Sequence, residues 1–301
     1  MSELRVDVFT GIPTVLAPAR RSIGATRPGG LPDVAREACP FCPGHEAETE
    51  DTVLAIGEPW RVRVVANRYP LLARELAAHE VVIESRDHEG DLATYSPAQA
   101  LDVLAAIRAR LRALEAREDV ASISVFRNRG RRAGSSQPHP HAQIATLPYV
   151  APAIAMRDAI ARNDRGLLAR VIDEERAAGT RVVHDAGDVI AWCPFASHRA
   201  WEVKLAPTSE CARFSAMDDA ELAVLARVLV DITSRLRGVL GAHDYNVLLR
   251  DPAIGVSTFF TIDVLPRTGG DAGFELQSGT PVCVVAPEDA ARALRDHAGS
   301  I

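Results

Sequence analysis

Polar and apolar positions along the chain follow one order that is run through twice. In the first half, strand-like runs at 61–67 and 80–84 precede a loop ending in Tyr95, Ser96 and Pro97. A helix is predicted over 98–116, because Leu101, Leu104, Ile107, Leu111 and Leu114 recur at three- and four-residue spacing and so share one face. Strands at 121–126 and 139–147 follow. The second half repeats this with strands at 188–192 and 201–206, a loop at 214–219 and a helix over 220–240 opened by Asp218 and Asp219. Leu222, Leu225, Val228, Leu229, Ile232 and Leu236 form its apolar face, and strands at 245–250 and 258–266 complete the order. Successive strands without crossover helices favour antiparallel pairing, so the expected class is α+β: two tandem repeats, each an antiparallel sheet with a long helix. The seam falls in 148–179, where Pro148 and Pro152 give way to a charged helical stretch at 156–178. The division expected is 1–150 and 151–301.

Composition narrows the function classes. A chain of 301 residues, 47% hydrophobic and 25% charged, is long enough to bury one large core or two ordinary ones. A formal charge of -6 argues against a nucleic-acid partner, which demands a basic face, so any phosphate must be gripped locally. The first residues lack the apolar core of a signal peptide, and no run is long enough to span a membrane. Of five cysteines only Cys39 and Cys42 lie close together, which fits a reducing compartment and a metal clip better than a disulfide framework. The expected location is the cytoplasm.

The strongest local signal is Gly134-Ser-Ser-Gln-Pro-His-Pro-His-Ala-Gln-Ile144. Alternation on a strand puts His139, His141 and Gln143 on one face, with Pro140 and Ala142 on the other. A lone histidine would more often be a satisfied sheet residue; three aligned polar groups after a Gly-Ser-Ser loop point to chemistry. Neutral imidazole is a nucleophile toward phosphorus, and the loop offers amides and the hydroxyls of Ser135 and Ser136 to phosphate oxygens. Cys39-Pro-Phe-Cys42 is a knuckle of the kind that gives two thiolates to zinc; a redox role would need the pair opening a helix after a strand. A structural zinc takes four ligands, and the chain has no second Cys-x-x-Cys, so histidines must complete the set. His139 and His88 are preferred, with His45 and His79 as competing candidates expected nearer the surface.

Taken together, the Cys-Pro-Phe-Cys-Pro-Gly-His-Glu segment, Asn67-Arg-Tyr-Pro70, Phe126-Arg-Asn-Arg-Gly130 and Ser-x-x-His-Pro-His-x-Gln resemble the galactose-1-phosphate uridylyltransferase family, a branch of the histidine triad superfamily. ADP-glucose phosphorylases and diadenosine tetraphosphate phosphorylases share most of these marks. The resemblance implies that His141 attacks the α-phosphate of a nucleotide sugar, that one structural zinc is held by Cys39, Cys42, His88 and His139, and that Gln143 bonds the phosphoryl group. It implies that Ser136 contacts a phosphate oxygen, that Asn67 and Asn128 help hold the nucleotide, that Arg20 and Arg27 stand for two N-terminal arginines of the family, and that Glu275 contacts the sugar. Arg127, Arg129, Arg131 and Arg132 are further candidates to neutralise a diphosphate, or simply a solvated loop face. The second repeat has Ser257, Phe259 and Thr261 where the first has His139, His141 and Gln143, and carries no second metal set, Glu210, Cys211 and Thr258 standing in that area.

The expected reaction is transfer of a nucleoside monophosphate from a nucleotide sugar, UDP-glucose in the first instance, to a sugar 1-phosphate, by a homodimer. A phosphorylase using inorganic phosphate is the nearest rival; a zinc-stabilised nucleotide-binding protein without turnover is the alternative of a different class.

Overall fold

The computed structural model describes residues 2–20, 30–209 and 211–297. After β1 (Glu3–Val6) and β2 (Pro13–Leu16), the first half supplies β3 (Thr52–Ile56), β4 (Val62–Ala66), β5 (His79–Ile83), α1 (Pro97–Glu115), β6 (Ser122–Arg129) and β7 (His141–Leu147). Helices α2 (Pro152–Asn163) and α3 (Leu167–Ala178) lead to the second half: β8 (Val182–Asp185), β9 (Val189–Trp192), β10 (Val203–Pro207), α4 (Asp219–Leu240), β11 (Tyr245–Arg250) and β12 (Thr261–Pro266). The order then runs through α5 (Gly273–Ser278), β13 (Val282–Cys283) and α6 (Pro287–Asp296).

Both halves enter one ten-stranded sheet, in the order β3-β4-β5-β7-β6-β11-β12-β10-β9-β8, antiparallel at each pairing. Read outward from the β6–β11 pair, the two halves give the same sequence of strands, so the α+β class and the tandem histidine-triad arrangement are those expected. β1, β2 and β13 form a separate small sheet.

Where the elements depart from expectation, the reason is local. β6 runs to Arg129 because β11 pairs with it there, Tyr245 opposite Arg129 and Asn246 opposite Asn128. β7 begins at His141 rather than His139, just after Pro140, which has no amide hydrogen to give a ladder. The stretch at 156–178 is two helices, broken at Asp164, Arg165 and Gly166. The edge strands β3 and β8 escape an alternation pattern because each carries a register shift.

The long helices α1 and α4 pack on one face of the sheet. Ser96 caps α1 by accepting the Gln99 amide, and Asp218 and Glu221 form a reciprocal capping box on α4. Leu104, Ile107 and Leu111 of α1 and Leu222, Leu225, Leu229 and Ile232 of α4 join Val62, Val64, Val82, Ile144, Val203 and Val264 of the strands in one core.

The opposite face differs between the halves, and this difference positions the site. In the second half, α3 lays Leu167, Leu168, Val171 and Ile172 over Ile190, Trp192 and Phe259, with Phe9 in the same cluster. In the first half, among the described residues, only Val65, Val81 and Ile83 form an apolar cluster on this face, with Phe41 and Trp60 against it. The polar face of β7 is left beside open space.

Asp251, just past β11, is buried and accepts the Phe214 amide at 2.9 Å; burial raises its carboxyl from 3.8 to about 7. Between those values the folded carboxyl keeps a proton that the unfolded one has lost, so this group makes stability fall as pH rises from about 4 to about 7. Urea titrations across that window should show the fall in the native chain and a flatter profile in Asp251→Asn.

Candidate active site

Four side chains from three separate segments converge beneath β7. The ligand atoms of Cys39, Cys42, His88 and His139 all lie within 4.8 Å of one another. Cys39 Sγ is 3.7 Å and Cys42 Sγ 3.5 Å from His139 Nδ1, and Cys42 Sγ is 3.2 Å from His88 Nδ1. Ligands on a tetrahedral zinc would stand about 3.5 Å apart, so the spacing suits such an ion. The outer hydrogen bonds suit it too. His139 Nε2 lies 2.9 Å from the Ser85 carbonyl and His88 Nε2 lies 3.1 Å from that of Val34. A carbonyl can only accept, so each ring carries its proton on Nε2 and turns the Nδ1 lone pair toward the thiols. Burial lowers the His139 pKa from 6.5 to about 4, keeping that lone pair free, and raises the Cys42 thiol from 9.0 to about 11 with Cys39 beside it. A divalent cation would offset that cost of burying thiolates.

His141 stands next along the chain. Its Nδ1 lies 2.9 Å from the carbonyl oxygen of His139, to which it must donate, so Nε2 holds the lone pair. Burial lowers its pKa, which the bond to His139 partly offsets, so the ring is neutral at neutral pH. Phe41, between the two cysteines, packs against the ring with centroids 5.4 Å apart. His141 and Gln143 form one wall of a cleft of about 260 Å³. Phe41, Val65, Ala66 and Val81 give it apolar surface, and Glu48, Glu50, Asn67, Arg68, Ser136 and Gln137 give it polar groups. Such a lining, apolar with a few polar groups, suits a small ligand held by a few fixed polar contacts.

Among the expected substrate contacts, Asn67 and Ser136 line this cleft. Ser135 is buried and donates its hydroxyl to the Gln137 carbonyl at 2.6 Å, shaping the loop. Asn128 lies on β6 and accepts from Asn246 at 2.8 Å. Arg20 is exposed at the end of a short turn after β2, Glu275 caps α5 by accepting the Ala272 amide at 3.0 Å, and neither lines the cleft. Arg27 and Glu210 lie outside the described residues.

Two readings from the sequence are corrected. Arg127 and Arg129 are not available to a diphosphate. Arg127 is buried, donating to Glu84 at 2.9 Å and to Tyr245, and Arg129 donates to the Pro138 carbonyl at 2.9 Å and pairs with Asp91. Arg131 donates to the Leu31 carbonyl at 3.2 Å. The competing metal candidates take other roles. His45 Nδ1 bonds the Cys39 carbonyl at 2.9 Å, and His79, far from being a surface group, is buried with Nε2 2.9 Å from Gln143 Oε1. Period-two alternation back from Val81, which stands opposite Gln143, would have put His79 on the cleft face.

An antiparallel sheet of tandem histidine-triad repeats, with a buried histidine at the wall of a cleft and two cysteines and two histidines placed to hold a metal, defines the class. The particular likeness is shown by comparison. The domain family described as the N-terminal domain of DUF4931, a domain of unknown function, matches residues 20–150. ADP-glucose phosphorylase of Arabidopsis thaliana is 26% identical, over 98% of this chain and 92% of the relative. Galactose-1-phosphate uridylyltransferase of Streptomyces lividans is 29% identical, over 80% of this chain and 66% of the relative. A crystal structure of the Arabidopsis thaliana ADP-glucose phosphorylase with bound ADP-glucose matches at a TM-score of 0.85, covering 98% of both chains at 26% identity. The resemblance to the galactose-1-phosphate uridylyltransferase family carried by the motifs thus holds in sequence and in fold.

If the four convergent ligands bind metal, elemental analysis of the purified chain will give about one zinc per chain. Cys42→Ser should lose most of it and melt several degrees lower, since three ligands hold the ion poorly.

Proposed function

We propose that the chain transfers a nucleoside monophosphate through a covalent intermediate on His141, taking a nucleotide sugar as donor. The observation that carries this is the hydrogen bond from His141 Nδ1 to the His139 carbonyl, which leaves a neutral Nε2 lone pair at the wall of the cleft. In the first step Nε2 bonds to the α-phosphorus of the donor as the bond to the bridging oxygen breaks, and the sugar 1-phosphate leaves with that electron pair. In the second step an oxygen of the acceptor displaces His141 from phosphorus, returning the lone pair to Nε2. The imidazole gains positive charge as it attacks, and the His139 carbonyl stabilises it there. Gln143 donates to a phosphoryl oxygen, and Ser136 offers a further donor from its loop. A bound zinc supplies structural bracing only: with Cys39, Cys42, His88 and His139 as ligands its coordination is complete.

Two acceptors fit this chemistry, a hexose 1-phosphate or inorganic phosphate. The relatives include both kinds of enzyme, and the match to the phosphorylase across nearly the whole of both chains favours testing phosphate beside hexose 1-phosphate. The native chain mixed with UDP-glucose or ADP-glucose alone should gain the mass of one nucleoside monophosphate in an acid-labile bond, and His141→Ala should gain none. An identical result for the two chains would count against the reading. Adding each acceptor in turn then identifies the product: nucleoside diphosphate from phosphate, a new nucleotide sugar from hexose 1-phosphate.

The expected homodimer belongs to the same proposal. Phe274 and Leu276, 53% and 76% exposed on either side of Glu275, support it as surface that association would cover. Light scattering should give twice the chain mass; a monomer that turns over fully would remove this part.

A further inference from the structure

His79 is a buried histidine in contact with the cleft wall and has no part in the metal cluster. It sits on β5, beside β7, with both ring nitrogens engaged. The Leu71 backbone amide points at Nδ1 from 3.1 Å, and Gln143 Oε1 lies 2.9 Å from Nε2. A backbone N–H can only donate, so Nδ1 carries the lone pair; in a neutral ring Nε2 then carries the proton and can only donate in turn. Burial lowers the His79 pKa, which agrees with a neutral ring. The partner facing Nε2–H must be an acceptor, and that determines which end of the Gln143 amide faces which way.

Resting on the reading of His141 as nucleophile, we propose that His79 is a positioning residue for the transfer: its Nε2–H holds Gln143 by the carbonyl oxygen, so that the Gln143 NH2 group faces the phosphate in the cleft. An untethered amide could turn over and present its oxygen to a phosphoryl oxygen, replacing a hydrogen bond by repulsion between two acceptors. The tether also reaches the cleft's opposite lip. Asn67 turns its NH2 group toward the His79 ring, where the Nδ1 lone pair, 3.4 Å away, is the atom able to accept from it, while its Oδ1 accepts the Tyr69 amide at 2.8 Å. The 67–71 segment, whose Asn67, Arg68 and Tyr69 line the cleft, and the β7 wall therefore share one imidazole as their reference point.

The test uses the full, metal-loaded chain, with metal content and melting temperature checked for each variant. Rates of nucleotidyl-adduct formation from UDP-glucose and ADP-glucose are measured for the native chain, His79→Leu, His79→Gln, His79→Asn, Gln143→Ala and the His79→Leu/Gln143→Ala double variant. His79→Leu should slow adduct formation about tenfold while donor affinity changes less than about threefold, as expected for a donor aimed at developing charge. His79→Gln, whose amide N–H can take the place of Nε2–H, should recover most of the rate, and His79→Asn, which replaces the other nitrogen, should not. In the Gln143→Ala background the leucine substitution should add nothing, because the group it positions is gone. Losses that multiply in the double variant, an unchanged rate in His79→Leu, or equal recovery by Asn and Gln would overturn the proposal while leaving His141 as nucleophile. Nitrogen-15 NMR of the histidines gives a readout independent of turnover: the Nε2–H tautomer is expected at His79, and the Nδ1–H tautomer would overturn the proposal even if neither donor reacts. A native chain that forms no adduct with either donor overturns the reading of His141 itself and this role with it.

Discussion

One residue, His139, ties the brace to the chemistry, and it does so with three separate atoms. Its Nδ1 turns to the two cysteines, its Nε2 donates to the Ser85 carbonyl, and its own carbonyl accepts from His141. The ring and the backbone of the same residue therefore set both the tautomer and the direction of the histidine two positions on. Displacing the His139 ring would move the carbonyl that orders His141, and with it the lone pair at the cleft wall. Arg129 adds a further hold by donating to the Pro138 carbonyl just upstream. Charge that looked available for substrate is used to fix the segment that carries His141.

The second repeat shows what happens to the same sheet position when chemistry is absent. Where β7 presents Gln143, β12 presents Thr261 and then Asp263, and Asp263 is buried against Lys204 and Arg250. Those two cations hold its carboxyl below its ordinary range despite burial. Arg157 of α2 reaches across to the Arg250 carbonyl and over the ring of Phe259. The space that is a cleft in one half is occupied in the other by ion pairs, a helix and an aromatic residue. Divergence between the repeats at Phe259 and Thr261 thus has a structural counterpart, since Arg157 and the Asp263 ion pairs pack against these two buried residues, while Ser257 stays exposed.

Most of the architecture was legible because both long helices and most of the sheet strands obey simple periodicities, and because the order of elements repeats. The convergence of Cys39, Cys42, His88 and His139 was legible from composition and from the strand that precedes His88. The cleft was harder. Phe41 looks like a spacer between cysteines until it is seen against His141, and His79 looks like one more surface histidine until β5 is set beside β7 in register. The arginine cluster misled because spacing gives charge but not partners: Glu84 and Asp91 lie 43 and 36 positions before Arg127, too far apart in sequence to pair by inspection. Arg20 and Glu275 were placed by family likeness, and within one chain they stand away from the cleft.

The meeting of β6 with β11 carries a consequence for how such a chain can change. Asn246 of the second half donates to Asn128 and to the Ala133 carbonyl, and Asp244 accepts the Arg132 amide, so the loop running to Ser136 is scaffolded by residues more than a hundred positions away. The half without the His139, His141 and Gln143 set is thus the foundation for the loop of the half that carries it. A lineage carrying this duplication can let the later copy drift at the positions that match His139, His141 and Gln143, but it cannot discard that copy and return to a single unit without also giving up the ground on which the first copy's loop stands.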